Sequence, residues 1–148
     1  MEVSKTPGLI ESELEKHGSY ASITKGTSMQ PLFKTGRDAI VVVKPTRPLK
    51  KYDVVLYIGL TGKYTLHRII GVKENEYLIR GDNTYTVEHI PKENVLGILT
   101  EFNRAGKQHT TTELSFRLYS RFWHLIYPIR AFYRRGRGWL GRHLKRKK

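Results

Sequence analysis

Short runs of branched and aromatic side chains, separated by polar and glycine-rich segments, dominate the chain from Tyr20 to about Phe102. Such runs are typical of β-strands, because these side chains pack well on a pleated surface. We expect strands over five segments: Ala39–Val43, Val54–Ile58, Tyr64–Val72, Tyr77–Ile79 and Val95–Leu99. The short connections Gly59–Gly62 and Lys73–Asn75 suit hairpin loops. The pattern predicts a mainly β fold, built as one coiled antiparallel sheet or partial barrel.

Helical patterns flank this β region on both sides. A proline at position 7, apolar residues from Leu9 to Leu14 and a glycine stop at Gly18 predict a short N-terminal helix. Residues 113–127 predict an amphipathic helix rich in aromatic side chains, which Pro128 should interrupt. We therefore expect an N-terminal helix over residues 1–19, a β domain over residues 20–106, and a basic aromatic helix and tail over residues 107–148.

The formal charge of +14 is distributed unevenly along the 148 residues. Residues 1–114 hold 16 Lys and Arg against 13 Asp and Glu, whereas residues 115–148 hold 11 Lys and Arg and no acid. The excess charge therefore belongs to the C-terminal segment, and the β region is nearly neutral. From Ala131 to Lys148 we expect a glycine-punctuated basic end that is disordered in water.

The composition limits the chemistry open to the protein and its expected location in the cell. The chain has no cysteine, which excludes disulfides and thiolate nucleophiles, and its six histidines lack the paired spacing of a zinc site, so we predict no metal and no cofactor. The first residues lack the basic-then-apolar pattern of a signal peptide, and no run of about eighteen apolar residues occurs. We expect a cytoplasmic or peripheral membrane protein without a transmembrane segment.

Three residues, in the order Ser, His and acid, are candidates for a hydrolytic site. Ser28 lies between Gly26, which allows a sharp turn, and Pro31, which holds the preceding residue extended. His67 lies within a predicted strand, and Asp82 follows the next one. A serine hydroxyl needs a base within hydrogen-bond reach, itself oriented by a third group. The pattern offers Ser28 as a candidate nucleophile and His67 as a candidate general base.

Four segments occur in an order that resembles the boxes of the signal peptidase I superfamily of serine peptidases: Ser28–Pro31, Tyr52–Val55, Leu66–Ile70 and Gly81–Asn83. The resemblance covers roughly residues 26–97. Typical bacterial members carry a lysine base just before the arginine of the third box. His67 stands at that place, which is similar to the archaeal and endoplasmic-reticulum branch that works with Ser, His and Asp. The resemblance implies Ser28 as nucleophile and Asp82 as the acid.

Two departures from the family pattern leave alternatives open. A further Asp commonly follows the Gly-Asp-Asn box, whereas the nearest acid here is Glu88, so Glu88 competes with Asp82 for the role of orienting the histidine. Many relatives also carry an oxyanion-binding serine two positions before the nucleophile, where Gly26 stands. The oxyanion site would then consist of the backbone N–H of Ser28 together with the Thr27 hydroxyl.

The resemblance implies a serine endopeptidase that cleaves signal or leader peptides by acyl transfer. Family members bind a peptide or preprotein substrate as an extended strand, and we expect the same here. We expect Arg68 and Arg80, which flank the candidate residues, to be solvated strand ends, with a substrate-anchoring role as the alternative. Self-cleaving repressors share the serine box but use a lysine base, and His67 stands at that position.

The basic aromatic segment predicts a contact with a membrane surface. Residues 114–133 are long enough to cross a bilayer, but the charges among them make a span costly. Arginines interleaved with aromatic rings suit a helix that lies in the headgroup layer of an anionic membrane. The residues expected at the lipid are Arg121, Trp123, Arg130, Arg134, Arg135 and Trp139. In the alternative arrangement, Leu118, Phe122, Leu125 and Ile126 pack this helix on the sheet.

A function of a different class competes with the peptidase. The chain would then be a nucleic-acid-binding or membrane-surface protein that uses its basic tail and keeps an inactive peptidase-like fold. That hypothesis leaves Ser28, His67 and Asp82 without an explanation, so nucleic acid is the less favoured partner.

Overall fold

The computed structural model describes the backbone of residues 8–145 and the side chains of residues 8–137. Within these residues the chain forms eight strands and three α-helices. In chain order the elements are α1 (Leu9–His17), β1 (Ser19–Ile23), β2 (Ala39–Val43), β3 (Val54–Ile58), β4 (Tyr64–Val72), β5 (Glu76–Arg80), β6 (Glu88–Pro91), a 3-10 turn (Lys92–Asn94), β7 (Val95–Arg104), β8 (Lys107–Thr110), α2 (Leu114–Leu125) and α3 (Tyr127–Lys145).

One antiparallel sheet contains all eight strands. Its order is β1-β2-β7-β3-β4-β5-β6, and β8 pairs with the C-terminal part of β7, on the edge opposite β2. The prediction of a mainly β fold with an antiparallel sheet is confirmed, and the sheet does not close into a barrel.

The strands with strong apolar runs lie where the sequence predicts them. β2, β3 and β4 have the expected bounds, β5 is one residue longer at each end, and β7 continues to Arg104. The pattern did not single out β1, β6 and β8, whose residues are largely polar or half-exposed. These short strands lie at the ends or the periphery of the sheet, where little apolar surface is needed.

The N-terminal helix is confirmed over the described residues. α1 ends at Gly18, which adopts a left-handed conformation (φ 71°) and donates its N–H to the carbonyl of Leu14 at 3.0 Å. Ile10 and Leu14 are fully buried and attach the helix to the sheet. The proline at position 7 lies outside the described residues.

The C-terminal helices depart from the prediction. α2 ends at Leu125 and α3 begins at Tyr127, so the interruption precedes Pro128, which lies in the first turn of α3, where a missing N–H removes no helical hydrogen bond. The expectation of a disordered end from Ala131 is wrong as far as Lys145, because the backbone is helical to that point. Residues 146–148 lie outside the described part of the chain.

Two hydrophobic clusters lie on opposite faces of β3 and β4. The larger cluster includes Leu56 and Leu66 and packs them against α1, α2 and the loop after β1. The smaller cluster includes Val55, Tyr57 and Ile69 and extends to β5 and β6. Because side chains alternate along a strand, neighbouring residues of β4 face different clusters.

Candidate active site

The loop after β1 presents the candidate nucleophile. Gly26 has a positive φ of 83°, which glycine adopts without strain and which turns the chain sharply. The N–H of Gln30 then donates to the carbonyl of Thr27 at 3.1 Å, which closes a tight turn around Ser28. Met29 is fully buried in the larger cluster and anchors the turn. The half-buried Ser28 is thereby held at the surface.

The structure brings Ser28 and His67 into direct contact. The Oγ of Ser28 lies 2.9 Å from the Nε2 of His67, although 39 positions separate the two residues in the sequence. His67 is only 6% exposed and is fixed in the centre of β4, where it pairs with Val55 of β3. A nucleophile and a base at this distance satisfy the geometric requirement for proton transfer.

The other nitrogen of His67 faces Glu88, the acid that the sequence left as an alternative. Nδ1 of His67 lies 3.0 Å from Oε1 of Glu88, and the hydroxyl of Tyr57 donates to the same oxygen at 2.7 Å. The Tyr57 hydroxyl is also 3.0 Å from Nδ1. An ionised carboxylate only accepts hydrogen bonds, so Nδ1 carries the proton and Nε2 presents its lone pair to the serine hydroxyl.

Burial and hydrogen bonds set the protonation states of these groups. Burial lowers the pKa of His67, and the neighbouring Glu88 carboxylate opposes that effect. The hydrogen bond from His67, reinforced by that from Tyr57, holds the pKa of Glu88 below its usual value. Burial, and secondarily Glu88, raises the pKa of Tyr57, so its hydroxyl stays protonated as a donor. At neutral pH the site therefore combines a neutral base with an ionised carboxylate.

Asp82, the acid that the family resemblance favours, binds an arginine. Its two carboxylate oxygens accept hydrogen bonds from Nε and Nη2 of Arg68, both at 2.8 Å. The hydroxyl of Tyr119 donates to the same carboxylate at 2.9 Å. The structure therefore places Glu88, and not Asp82, in hydrogen-bond contact with Nδ1 of His67. The reason is the alternation of β4, which directs His67 and Arg68 to opposite faces.

The expectation that Arg68 and Arg80 are solvated strand ends is wrong. Arg68 is 2% exposed, and its Nη1 donates to the carbonyl of Tyr52 at 3.2 Å and to Oγ of Ser120 at 2.6 Å. Arg80 is 8% exposed, and its guanidinium lies 3.4 Å from the ring centre of Tyr127. Both arginines thus connect the sheet to the C-terminal helices.

The segment Gly81–Asn83 holds the nucleophile loop against the histidine. The N–H of Asn83 donates to the carbonyl of Ser28 at 2.7 Å, and its side-chain amide donates to the carbonyl of Thr27 at 3.2 Å. A Cβ on Gly81 would lie 2.6 Å from the Ser28 carbonyl oxygen and 2.9 Å from Nε2 of His67. Position 81 therefore requires glycine, because any side chain would separate the serine from the base.

The C-terminal helices support this segment from behind. The indole N–H of Trp123 and the guanidinium of Arg130 both donate to the backbone carbonyl of Asp82, at 2.8 and 3.0 Å. The guanidinium of Arg134 lies 4.6 Å from the ring centre of Tyr85. Trp123 and Arg130, which were expected at a lipid surface, bind the Asp82 carbonyl on the docked side of the helices, whereas Arg134 is exposed.

Of the remaining residues expected at lipid, two are exposed and one has no described side chain. Arg121 and Arg135 are exposed. The side chain of Trp139 lies outside the described residues. In the alternative arrangement Leu118, Phe122, Leu125 and Ile126 pack on the sheet. The first three are more than half exposed, which is against it, whereas Ile126 is half-buried.

Sequence reasoning missed several residues that build the site. Tyr57 gave no signal, because a tyrosine within an apolar strand is ordinary core composition. Tyr119 and Trp123 were recognised only as part of an aromatic helix. Gly81 belonged to a recognised box, but its packing role needed the distances to the serine loop. Thr27, the predicted oxyanion residue, lies exposed on the rim of the site.

Comparison with known proteins adds no family. No family model matches the chain, and no curated protein matches it at a significant level. Among the described residues, none of the helices is both long and apolar enough to cross a membrane. The signal-peptidase resemblance therefore stays a prediction that rests on the four sequence boxes.

Proposed function

We propose that this protein is a serine endopeptidase in which Ser28 is the nucleophile, His67 the general base and Glu88 the acid that orients the histidine. The observation that carries the proposal is the continuous contact from Ser28 Oγ to His67 Nε2 and from His67 Nδ1 to Glu88 Oε1, at 2.9 and 3.0 Å. A hydroxyl, an imidazole and a carboxylate in this arrangement are the components of acyl transfer.

The proposed reaction begins when the Oγ of Ser28 attacks the carbonyl carbon of a peptide bond and its proton passes to Nε2 of His67. The imidazolium that forms is stabilised by Glu88, whose carboxylate stays ionised. His67 then protonates the leaving amine as the C–N bond breaks, which leaves an acyl group on Ser28. Water, deprotonated by the same histidine, attacks the acyl carbon, and the proton returns to Ser28 as the acid product leaves.

In the proposed site, the negative oxygen of each tetrahedral intermediate is bound by the backbone N–H of Ser28 and by the Thr27 hydroxyl. The tight turn at Ser28 and the exposed position of Thr27 support this assignment. The substrate is an extended peptide, and the sequence resemblance favours signal or leader peptides.

Cleavage of a peptide library, analysed by mass spectrometry, tests the proposal. We expect Ser28→Ala to lose about 10⁴-fold or more of the cleavage rate while it keeps the fold, because removal of a triad member leaves only residual catalysis. Ser22→Ala, which replaces a half-buried serine of β1, is the matched control and should cleave like the parent. Equal cleavage by parent and Ser28→Ala would refute the assignment.

A further inference from the structure

An exposed apolar stripe runs along α2 and α3 on the side turned away from the protein. Its members are Leu114, Leu118, Phe122, Leu125, Ile129, Phe132 and Tyr133. Their exposed fractions range from 56% to 80%. The spacing of three or four residues places them on one side of a helix with about 3.6 residues per turn. We call these seven residues the outer face.

The outer face is distinct from the side that packs on the protein. The docked side carries Phe116, Ser120 and Trp123, which contact the larger cluster, Arg68 and the carbonyl of Asp82. Since the helices already make their intramolecular contacts through this side, the outer face is not needed for the core. Isolated exposed apolar residues are ordinary, but a contiguous stripe of seven indicates an interaction surface.

The charge around the outer face indicates what covers it. Arg117, Arg121 and Arg135 are exposed beside the stripe, and residues 114–148 contain no acid. An apolar stripe bordered by arginines matches a bilayer surface, where apolar side chains enter the acyl boundary and cations meet anionic headgroups. We propose that the outer face of α2 and α3 docks on an anionic lipid bilayer, with both helices in the plane of the interface.

Two other occupants fit the charges less well. A second copy of the chain, packed through the same stripe, would bring the arginines of both copies together without an acid to compensate them, and like charges at close range repel. A nucleic acid would satisfy the arginines, but it would leave large aliphatic side chains such as Leu118, Leu125 and Ile129 without a matching apolar surface. Only a lipid surface satisfies both parts of the pattern.

Vesicle flotation of the full chain tests the proposal. The Ser28→Ala protein is used, so that the result does not depend on the proposed peptidase activity. We expect it to float with phosphatidylcholine–phosphatidylglycerol vesicles and to bind pure phosphatidylcholine vesicles at least about tenfold more weakly, because anionic headgroups contribute a large part of such binding. Failure to bind the anionic vesicles would overturn the proposal.

Matched variants locate the surface. The triple variant Leu118→Gln, Phe122→Gln and Leu125→Gln should reduce vesicle binding by about tenfold or more, since it removes exposed apolar side chains without touching the core. The control replaces three exposed apolar residues outside the helices, Ile23, Leu60 and Val72, with Gln and should bind like the parent. Equal losses in both variants would overturn the assignment of the outer face.

Two further measurements separate the other occupants. Light scattering should give a monomer without lipid, and a dimer that the triple variant abolishes would identify a second copy as the occupant and contradict the proposal. Retention on RNA would point to nucleic acid instead under three conditions. It would have to be stronger than vesicle binding, unaffected by the triple variant, and lost in Arg117→Gln and Arg121→Gln. The triple variant and the arginine variants keep the described docked side intact. Their thermal unfolding should therefore be the same as that of the parent, whichever occupant is found.

Discussion

His67 and Arg68 are neighbours on β4, and each is buried beside a carboxylate, but their surroundings differ. His67 contacts one oxygen of Glu88, whose side chain is 36% exposed. Arg68 binds both oxygens of Asp82, and each side chain of that pair is 3% exposed. A histidine beside one carboxylate oxygen retains a nitrogen for proton transfer, whereas an arginine never gives up its proton.

The difference shows how one strand serves two purposes. On one face, β4 supplies a base that faces the Ser28 hydroxyl. On the other face, it supplies a permanently charged group that binds the segment after β5 and the Ser120 hydroxyl of α2. The two faces meet at Gly81–Asn83, because this segment carries Asp82 and also binds the carbonyl of Ser28. The ion pair therefore supports the fold around the site, and in the proposed mechanism the histidine supports the chemistry.

The largest expected effect on activity distinguishes the two carboxylates. Glu88→Gln keeps the size of the side chain but removes the charge that stabilises the imidazolium and fixes its tautomer. We expect kcat/KM to fall by about 10³- to 10⁴-fold with little change in stability. Glu93→Gln, a substitution in the turn that follows β6, is the control and should retain full activity. A loss smaller than tenfold in Glu88→Gln would argue against this acid.

The second effect concerns stability. Asp82→Asn leaves the buried guanidinium of Arg68 without its charge partner, and breaking a buried pair in this way typically costs about 3–5 kcal/mol in the free energy of unfolding. Asp53→Asn breaks the more exposed pair with Arg47 and should cost no more than about 1 kcal/mol. Denaturant unfolding measures both values. A stable Asp82→Asn protein that loses activity as Glu88→Gln does would reverse the two roles.

The third effect tests the segment Gly81–Asn83, where the two faces of β4 meet. Gly81→Ala places a Cβ within 3 Å of the Ser28 carbonyl and of His67, so the serine must shift. A displacement of about 1 Å at a reacting group costs roughly 10²-fold in rate, and we expect a loss of that order in kcat/KM. Gly59→Ala, whose added Cβ would meet its nearest neighbour at 3.6 Å, should be neutral. Unchanged activity in Gly81→Ala would mean that the Ser28 loop moves without loss of the contact with His67, and that position 81 does not require glycine.

Apolar runs predicted the central strands because those strands are buried on both sides, and a buried strand must be apolar. The order of the residues and the family resemblance also singled out Ser28 and His67, whose side chains the structure brings into contact. The sequence did not decide between Asp82 and Glu88, because that choice depends on the register of β6. Glu88 pairs with Ile79, which pairs with Ile69, and this row places the carboxylate near His67.

The C-terminal helices were predicted less well for a related reason. Their aromatic and basic residues occur on two sides of the helix, and composition alone does not show which side docks. Trp123 and Arg130 resemble interfacial residues in the sequence, yet both bind the carbonyl of Asp82. Leu118 and Leu125 resemble core residues, yet both are exposed. The orientation of these helices depends on the part of the sheet on which they dock, which is distant from them in sequence.

The most direct measurement is the pH dependence of labelling by a serine-directed acylating probe, with the modified residue identified by peptide mapping. Because burial lowers the pKa of His67, the neutral base should persist below the ordinary histidine value of about 6.5, and the rate should fall only as the pH drops through the lowered pKa. Glu88 raises the pKa of His67, so Glu88→Gln should move that fall to a still lower pH. The account predicts one adduct, on Ser28, and none in His67→Ala. An adduct elsewhere, or a rate on Ser28 that stays the same in His67→Ala, would contradict it.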